Sequence, residues 1–223
     1  MEPDPAKTAN PVSHLLRAIR SEALATSAVT GRPALSPRVL DVIAEVPRDA
    51  FVDPEYGEHA WEDRPLPIGH RQTISQPFIV ALMTDLLNLQ PTDVVLEVGT
   101  GSGYQAAVLS RLVYLVHSIE VIEPLAHQAA LRLMELGYDN VDVHQGDGHR
   151  GWRAEAPYDA IIVTAATPEV PPALLEQLKP GGGMVIPLGP TFGHQDLTLI
   201  RKTQQGRIKH EVILPVSFVP LTD

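Results

Sequence analysis

The spacing of hydrophobic positions divides the chain into an N-terminal helical stretch, an irregular middle and a regular C-terminal two thirds. Between His14 and Ala28 the residues Leu15, Leu16, Ile19, Ala23 and Leu24 recur at helical spacing, after a polar, proline-containing tail over 1–11. This predicts an amphipathic packing helix. Ser36-Pro37 reads as an N-cap and first-turn proline, and Val39, Leu40, Val42, Ile43 and Val46 carry a second helix up to Pro47. Over 47–75 six prolines and glycines interrupt the chain and neither period persists. A long irregular loop in a compact domain is commonly functional. A helix resumes over 76–89, with Ile79, Leu82, Met83, Leu86 and Leu87 on its buried side and Ser75 directly before it.

From Pro91 the alternation becomes regular: strand 94–98, helix 104–113, strand 115–119, helix 123–136, strand 141–144, strand 159–164, helix 170–178 and strand 183–188. Strands alternating with helices imply right-handed crossovers and an α/β fold with a doubly wound, mainly parallel sheet. The segments 196–203 and 208–214 flank QQGR without room for a crossover helix, which predicts an antiparallel hairpin at or near the sheet edge. The expected organisation is one domain over 36–223, with residues 1–35 an extension packed on it.

Composition narrows the partners. The net charge is −10 and no basic cluster appears, so the field repels a phosphate backbone and nucleic acid is not expected. Cysteine is absent, which removes disulfides, thiolate nucleophiles and cysteine-based zinc sites. No signal-peptide order and no membrane-length apolar run is visible, and a folded cytoplasmic protein is expected.

The candidate chemistry centres on VVLEVGTGSGY over 94–104, where a β-branched run ends in an acid and passes through three glycines into a helix start. Such a strand, turn and helix leave backbone amides open to a small molecule. Gly101, Gly103 and Ala106 satisfy the dinucleotide fingerprint, with Glu120 near the ribose-binding position. Glu97 argues against a diphosphate there. At about 4 Å and an effective dielectric of about 20, a unit-charge contact is worth on the order of 4 kcal/mol, repulsive for pyrophosphate and attractive for a cation. S-adenosylmethionine carries a sulfonium and an ammonium and no phosphate. A third strand end, Gln145-Gly146-Asp147-Gly148, brings a carboxylate suited to an adenine amino group, so Glu97, Glu120 and Asp147 should converge beyond the strand ends.

Other chemistries lack their residues: there is no G-x-S-x-G elbow, no H-E-x-x-H and no Walker lysine. His144 and His149 read as surface or hydrogen-bonded groups, and no metal is inferred.

With these motifs in place the chain resembles the protein-L-isoaspartate O-methyltransferase family. The resemblance rests on EDRPLPIGHRQTISQPFIVALM (62–83), VVLEVGTGSGYQAAVLSRLV (94–113), SIE (118–120), LGYDNVDVHQGDG (136–148), APYDAIIVTAATPEVPPALLEQLKPGGGMVIPLG (156–189) and FVPL (218–221), and covers about 36–221. TISQP after PLPIG is its most distinctive part. The resemblance implies a Rossmann-like methyltransferase sheet that passes a methyl group from S-adenosylmethionine to the free α-carboxylate of L-isoaspartyl residues, leaving S-adenosylhomocysteine. Carried over to this chain, it puts Glu97, Gly99, Gly101 and Gly103, with Thr100 and Ser102 between them, at the methionine part of the cofactor. Glu120 would hold the ribose hydroxyls, and Asp147 and Gly148 the adenine side. Ser75 is the implied active-site residue, with Thr73, Ile74, Gln76 and Pro77 shaping a peptide groove in the substrate loop 62–78.

Ser75 has a plainer reading as N-cap of the helix that follows it. Two positions depart from the family pattern, Arg71 where glycine is usual and Ser217 where arginine is usual. The implied partners are isoaspartyl proteins and peptides, with no membrane and a monomeric state. The competing readings are a methyltransferase for another carboxylate or a small molecule, a non-catalytic module that binds the cofactor, and a distant NAD dehydrogenase.

Overall fold

The computed structural model describes residues 10–190 and 193–223; most of the expected N-terminal tail lies outside them. Helix α1 (Pro11–Ala25) starts at Asn10, whose side chain accepts from the Val12 amide at 3.0 Å, and a short α2 (Ser27–Thr30) and α3 (Pro37–Glu45) follow. Leu15, Ile19 and Ala23 of α1 are buried in the same core as Leu40 and Ile43 of α3 and Leu82 and Leu86 of α4 (Pro77–Leu86).

The 47–75 stretch is more ordered than its sequence predicts. It holds 3-10 turns at Arg48–Phe51 and Pro54–His59, then a two-strand ladder, β1 (Leu66–Pro67) with β2 (Thr73–Ile74), in which Leu66 pairs Ile74. Single turns and two-residue strands are too short to imprint a period. The ladder tip, Gly69–His70–Arg71, has φ of 83°, 50° and 60°, so Arg71 occupies a left-handed position that suits glycine.

The remaining elements are β3 (Val94–Val98), α5 (Tyr104–Ser110), β4 (Leu115–Glu120), α6 (Glu123–Glu135), β5 (Val141–Gln145), β6 (Tyr158–Val163), α7 (Pro172–Gln177), β7 (Leu178–Leu188), β8 (Gln195–Lys202) and β9 (Ile208–Val216). They form a seven-stranded sheet of order β5-β4-β3-β6-β7-β8-β9, parallel from β5 to β7 and antiparallel at β8 and β9. The expected hairpin is therefore the sheet edge. β7 begins earlier than expected because Leu178 already pairs Tyr158, after which an irregularity in the strand over Lys179–Gly182 shifts the register before Gly183 pairs Ala160.

Successive strand residues point to opposite faces. Val95, Val116 and Ile162 face the layer built by α1, α3, α4 and α5, while Leu96, Val98, Ile161 and Val163 face a smaller core with Leu174 of α7. Both faces are covered, as a parallel sheet requires. No helix among the described residues is long and apolar enough to cross a membrane.

Candidate active site

The parallel strands end together on one rim, and a cleft opens there, beyond the carboxyl ends of the strands where ligands of such sheets bind. β3 and its turn contribute Val98–Ser102, β4 contributes Ile119 and Glu120, and β6 leads into Thr164 and Ala165. The loop at 72–75 closes one side and Val219–Thr222 another. Ala166 holds this last segment in place by accepting from the Leu221 amide at 2.7 Å and donating to the Val219 carbonyl at 2.8 Å.

Glycine is required at the turn by contact as well as by conformation. Gly99 has φ +98°, and a Cβ there would lie 2.4 Å from Thr164 Oγ1. A Cβ on Gly148 would lie 2.5 Å from Val98 Cγ1. Bare backbone thus lets the β3 turn, the β6 end and the Gly148 turn approach one another.

Glu120 sits in the cleft wall. Its Oε2 accepts from the Gly101 amide at 2.8 Å and its Oε1 from the Ile122 amide at 3.0 Å, so the carboxylate braces both turns and keeps lone pairs for a ligand. Glu97 is placed differently from the sequence expectation. It is fully buried and does not line the cleft; on the Val95 face of β3 it accepts from Ser118 Oγ, which is 2.6 Å from Thr100 Oγ1. Burial is the main reason its carboxyl is pushed up to about 8, the Ser118 bond opposes this, and the Glu120 charge adds to it. At rest near neutral pH, Glu97 is mostly a neutral acid that reaches the cleft through Ser118 and Thr100. The direct attraction of a cation argued from its position needs the proton to leave first.

Asp147 also stands outside the lining, although Gly148 is part of it. The Asp147 side chain accepts from the His149 amide at 2.9 Å and lies 3.2 Å from Arg150 Nε. Partial burial opposes ionisation, but these bonds hold its carboxyl below the usual range. Gly103 lies just outside as well, with φ +90° at the start of α5.

A second cleft adjoins the first and shares Thr73, Ser75, Thr164 and Val219 with it. Gln76 lines only this second cleft, Ile74 only the first, and Pro77, the first residue of α4, lines neither. Arg71 is exposed and lines neither, whereas Ser217 lines the second.

Ser75 does not cap α4. The cap position is Gln76, and the helix start is held by Asp63 from the loop, which accepts from the Phe78 amide at 2.8 Å and from Gln76 Nε2 at 3.2 Å. Among the described residues the Ser75 hydroxyl has no hydrogen-bond partner, so it is free for a ligand. Its backbone is fixed from behind by Arg48, a side chain with no exposed surface that donates to the carbonyls of Ser75 at 3.1 Å, Arg64 at 3.0 Å, Glu62 at 3.4 Å and Ala60. Burial lowers the Arg48 guanidinium to about 10, opposed by Tyr104 and Asp63, and it stays protonated at neutral pH.

Sequence reasoning missed Arg48, Asp63 and Thr164. The rule that ligands bind beyond strand ends points to Thr164, directly after β6. Nothing local marks Arg48 or Asp63, whose partners lie 12 to 27 and 13 to 15 residues away respectively.

The donor set suits a cationic, phosphate-free nucleoside cofactor. No lysine, arginine or histidine lines the first cleft. Among the described residues three buried side-chain oxygens in or beside it have no partner, Gln105 Oε1 and the Tyr104 hydroxyl in its wall and Glu97 Oε1 beneath. Leaving buried oxygens unpaired is costly, and a ligand's polar groups would relieve it, an ammonium at Glu97 once that carboxyl has lost its proton.

Comparison with known proteins gives the family and the fold. The sequence model of the protein-L-isoaspartate(D-aspartate) O-methyltransferase family matches residues 20–223. A protein-L-isoaspartate O-methyltransferase 2 of Syntrophobacter fumaroxidans is 56% identical over 208 residues, covering 93% of this chain and 84% of the relative. One from Polaromonas sp. is 55% identical over 211 residues, covering 95% and 97%. Among solved structures, a protein-L-isoaspartate O-methyltransferase superposes with a TM-score of 0.82 at 28% identity, over 95% of this chain and 66% of that one. A Plasmodium falciparum chain provisionally assigned to the same activity, solved with S-adenosyl-L-homocysteine, gives 0.79 at 24% identity over 96% and 99%, which speaks to the fold. By sequence and architecture together, the chain belongs to the protein-L-isoaspartate(D-aspartate) O-methyltransferase family.

Proposed function

We infer that the protein is a repair methyltransferase that esterifies the free α-carboxylate of L-isoaspartyl residues in damaged proteins and peptides, using S-adenosylmethionine. The observation that carries this reading is the unpartnered Ser75 hydroxyl in the wall common to both clefts. One cleft suits the methyl donor and the other a peptide, so the groups that must react meet at Ser75.

S-adenosylmethionine supplies an electrophilic sulfonium methyl. Within the first cleft, Gly99–Ser102, Glu120 and Gly148 are the residues to hold it, with Glu97 acting from below through Ser118 and Thr100. Asp147 supports the adenine side by fixing the turn that carries Gly148. An isoaspartyl α-carboxylate is already ionised at neutral pH and needs no general base. None of the four residues shared by the clefts is titratable near neutrality. Ser75 donates a hydrogen bond to one carboxylate oxygen, which leaves the other free to attack. Thr73 and Gln76 shape the groove around it, while Ile74 and Pro77 anchor the loop from its buried side. Arg48 and Asp63 keep the loop in register, so the hydroxyl is positioned before substrate arrives.

The neighbouring backbone amide nitrogen then attacks the ester carbonyl without the enzyme, expelling methanol and closing a succinimide, and addition of water to the ring restores part of the normal aspartyl linkage. The cytoplasmic location and monomeric state expected from the sequence belong to this reading. Labelled S-adenosylmethionine with matched isoaspartyl and aspartyl peptides tests it. Label should enter the isoaspartyl peptide alone; equal transfer to both, or none, removes the reading.

A further inference from the structure

The second cleft is walled mainly by apolar side chains, including Phe78, Ile79, Leu214, Val216 and Phe218. Its single ionisable lining residue is Glu22, from helix α1. Glu22 is half-buried, and among the described residues its carboxylate has neither an ion pair nor a hydrogen bond. The backbone of this helix is fixed through Leu15, Ile19 and Ala23, so Glu22 is held in the groove wall by a rigid element.

An unpaired carboxylate beside apolar walls is costly to desolvate, and a substrate that covers it without pairing adds to that cost. The nucleophilic carboxylate of an isoaspartyl residue therefore belongs at the Ser75 end of the groove. We propose that Glu22 is a specificity residue that selects isoaspartyl peptides carrying a lysine or arginine side chain close in sequence to the damaged residue. The groove then reads a substrate by opposite charges: anionic at Ser75, cationic at Glu22. This rests on the methyltransferase reading above. It adds a preference that Ser75 and the cofactor cleft do not supply.

A net charge of −10 also favours cationic peptides from a distance, and this must be separated from the local contact. Glu58 serves as the control, because it is exposed and lines neither cleft. Isoaspartyl peptides with a single lysine, glutamine or glutamate at each of the three positions on either side are assayed for kcat/KM. At one or two positions the lysine peptide should exceed the glutamate peptide by about five- to tenfold, the scale of a partly exposed ion pair gained and a like-charge contact avoided. Glu22→Gln should bring that ratio to within about twofold of unity, Glu22→Lys should invert it, and Glu58→Gln should retain it. Binding of S-adenosylhomocysteine by calorimetry verifies that each variant is folded. Turnover with no charge preference, or a preference that survives in Glu22→Gln, overturns the inference alone. Absence of turnover on every isoaspartyl peptide removes the methyltransferase reading and this inference with it.

Discussion

Replacing Glu97 with glutamine isolates the energetic consequence of burying an acid under the cofactor turn. The carboxyl has no exposed surface, and its pKa rises from 4.5 to about 8, chiefly through burial. A group whose folded pKa is raised holds its proton in the folded state while the unfolded chain releases it. The folded protein therefore loses stability as pH climbs from about 4.5 to 8, at nearly 1.4 kcal/mol per unit in the middle of that window. Between pH 5 and 7 this amounts to about 2 to 3 kcal/mol, or roughly 4 to 12 °C in Tm for a domain of this size. Glutamine keeps the shape and cannot ionise, and every other titrating group is common to both proteins. Thermal unfolding of the two without cofactor should show their Tm values diverging by this amount in favour of Glu97→Gln as pH rises. Parallel curves would mean that Glu97 is not buried as an acid, and the argument would collapse.

The same group predicts how the cofactor binds. Near pH 7 Glu97 must lose its proton before it can attract an ammonium from below the turn, at an order-of-magnitude penalty of about 1.4 kcal/mol. Affinity for S-adenosylhomocysteine, which keeps the ammonium, should rise about fivefold between pH 7 and 8, and Glu97→Gln should abolish the rise. The amino-acid-free fragment 5′-methylthioadenosine should bind with no such dependence. A flat profile for both ligands would restrict Glu97 to holding Thr100 through Ser118.

Three substitutions separate positioning from chemistry around Ser75. Ser75→Ala should leave Tm within about 2 °C, because the hydroxyl has no partner among the described residues, yet lower kcat/KM for isoaspartyl peptides about 10- to 100-fold, the range for a lost hydrogen bond to a charged group. Asp63→Ala should do the reverse in stability, costing about 1 to 2 kcal/mol by uncapping α4; an unchanged Tm would show that Asp63 does not hold the helix start. Arg48→Met removes its hydrogen bonds to four carbonyls, of which, among the described residues, Glu62 alone keeps another donor, the Arg64 amide, and should cost about 3 kcal/mol or more, whereas a loss under 1 kcal/mol by denaturant titration would refute the clamp. Gly99→Ala forces a Cβ onto Thr164 at 2.4 Å, and calorimetry should record at least a tenfold loss of S-adenosylhomocysteine affinity, against a nearly unchanged value if the turn can yield.

What the sequence made legible follows the range of the forces involved. The strand and helix order from Val94 onward is written in local periodicity, because each element buries a face of its own, and the hairpin was visible because QQGR leaves no length for a crossover. Glu97 shows where this stops. In VVLEV a single polar residue interrupts an apolar strand, and the sequence reads it as a charge facing the ligand. The sheet is covered on both faces, so strand parity sends Glu97 beneath the turn with Val95, to Ser118 one strand away. The sequence singles out the residue but not its charge state, because ionisation depends on surroundings assembled from distant positions. Ser75 illustrates the same limit from the other side. Its place before a helix made an N-cap the economical reading, and only the fold reveals that Asp63, twelve residues upstream, has taken that task. A hydroxyl relieved of capping in a wall between two clefts has no structural duty left, so its function must be sought in what enters them.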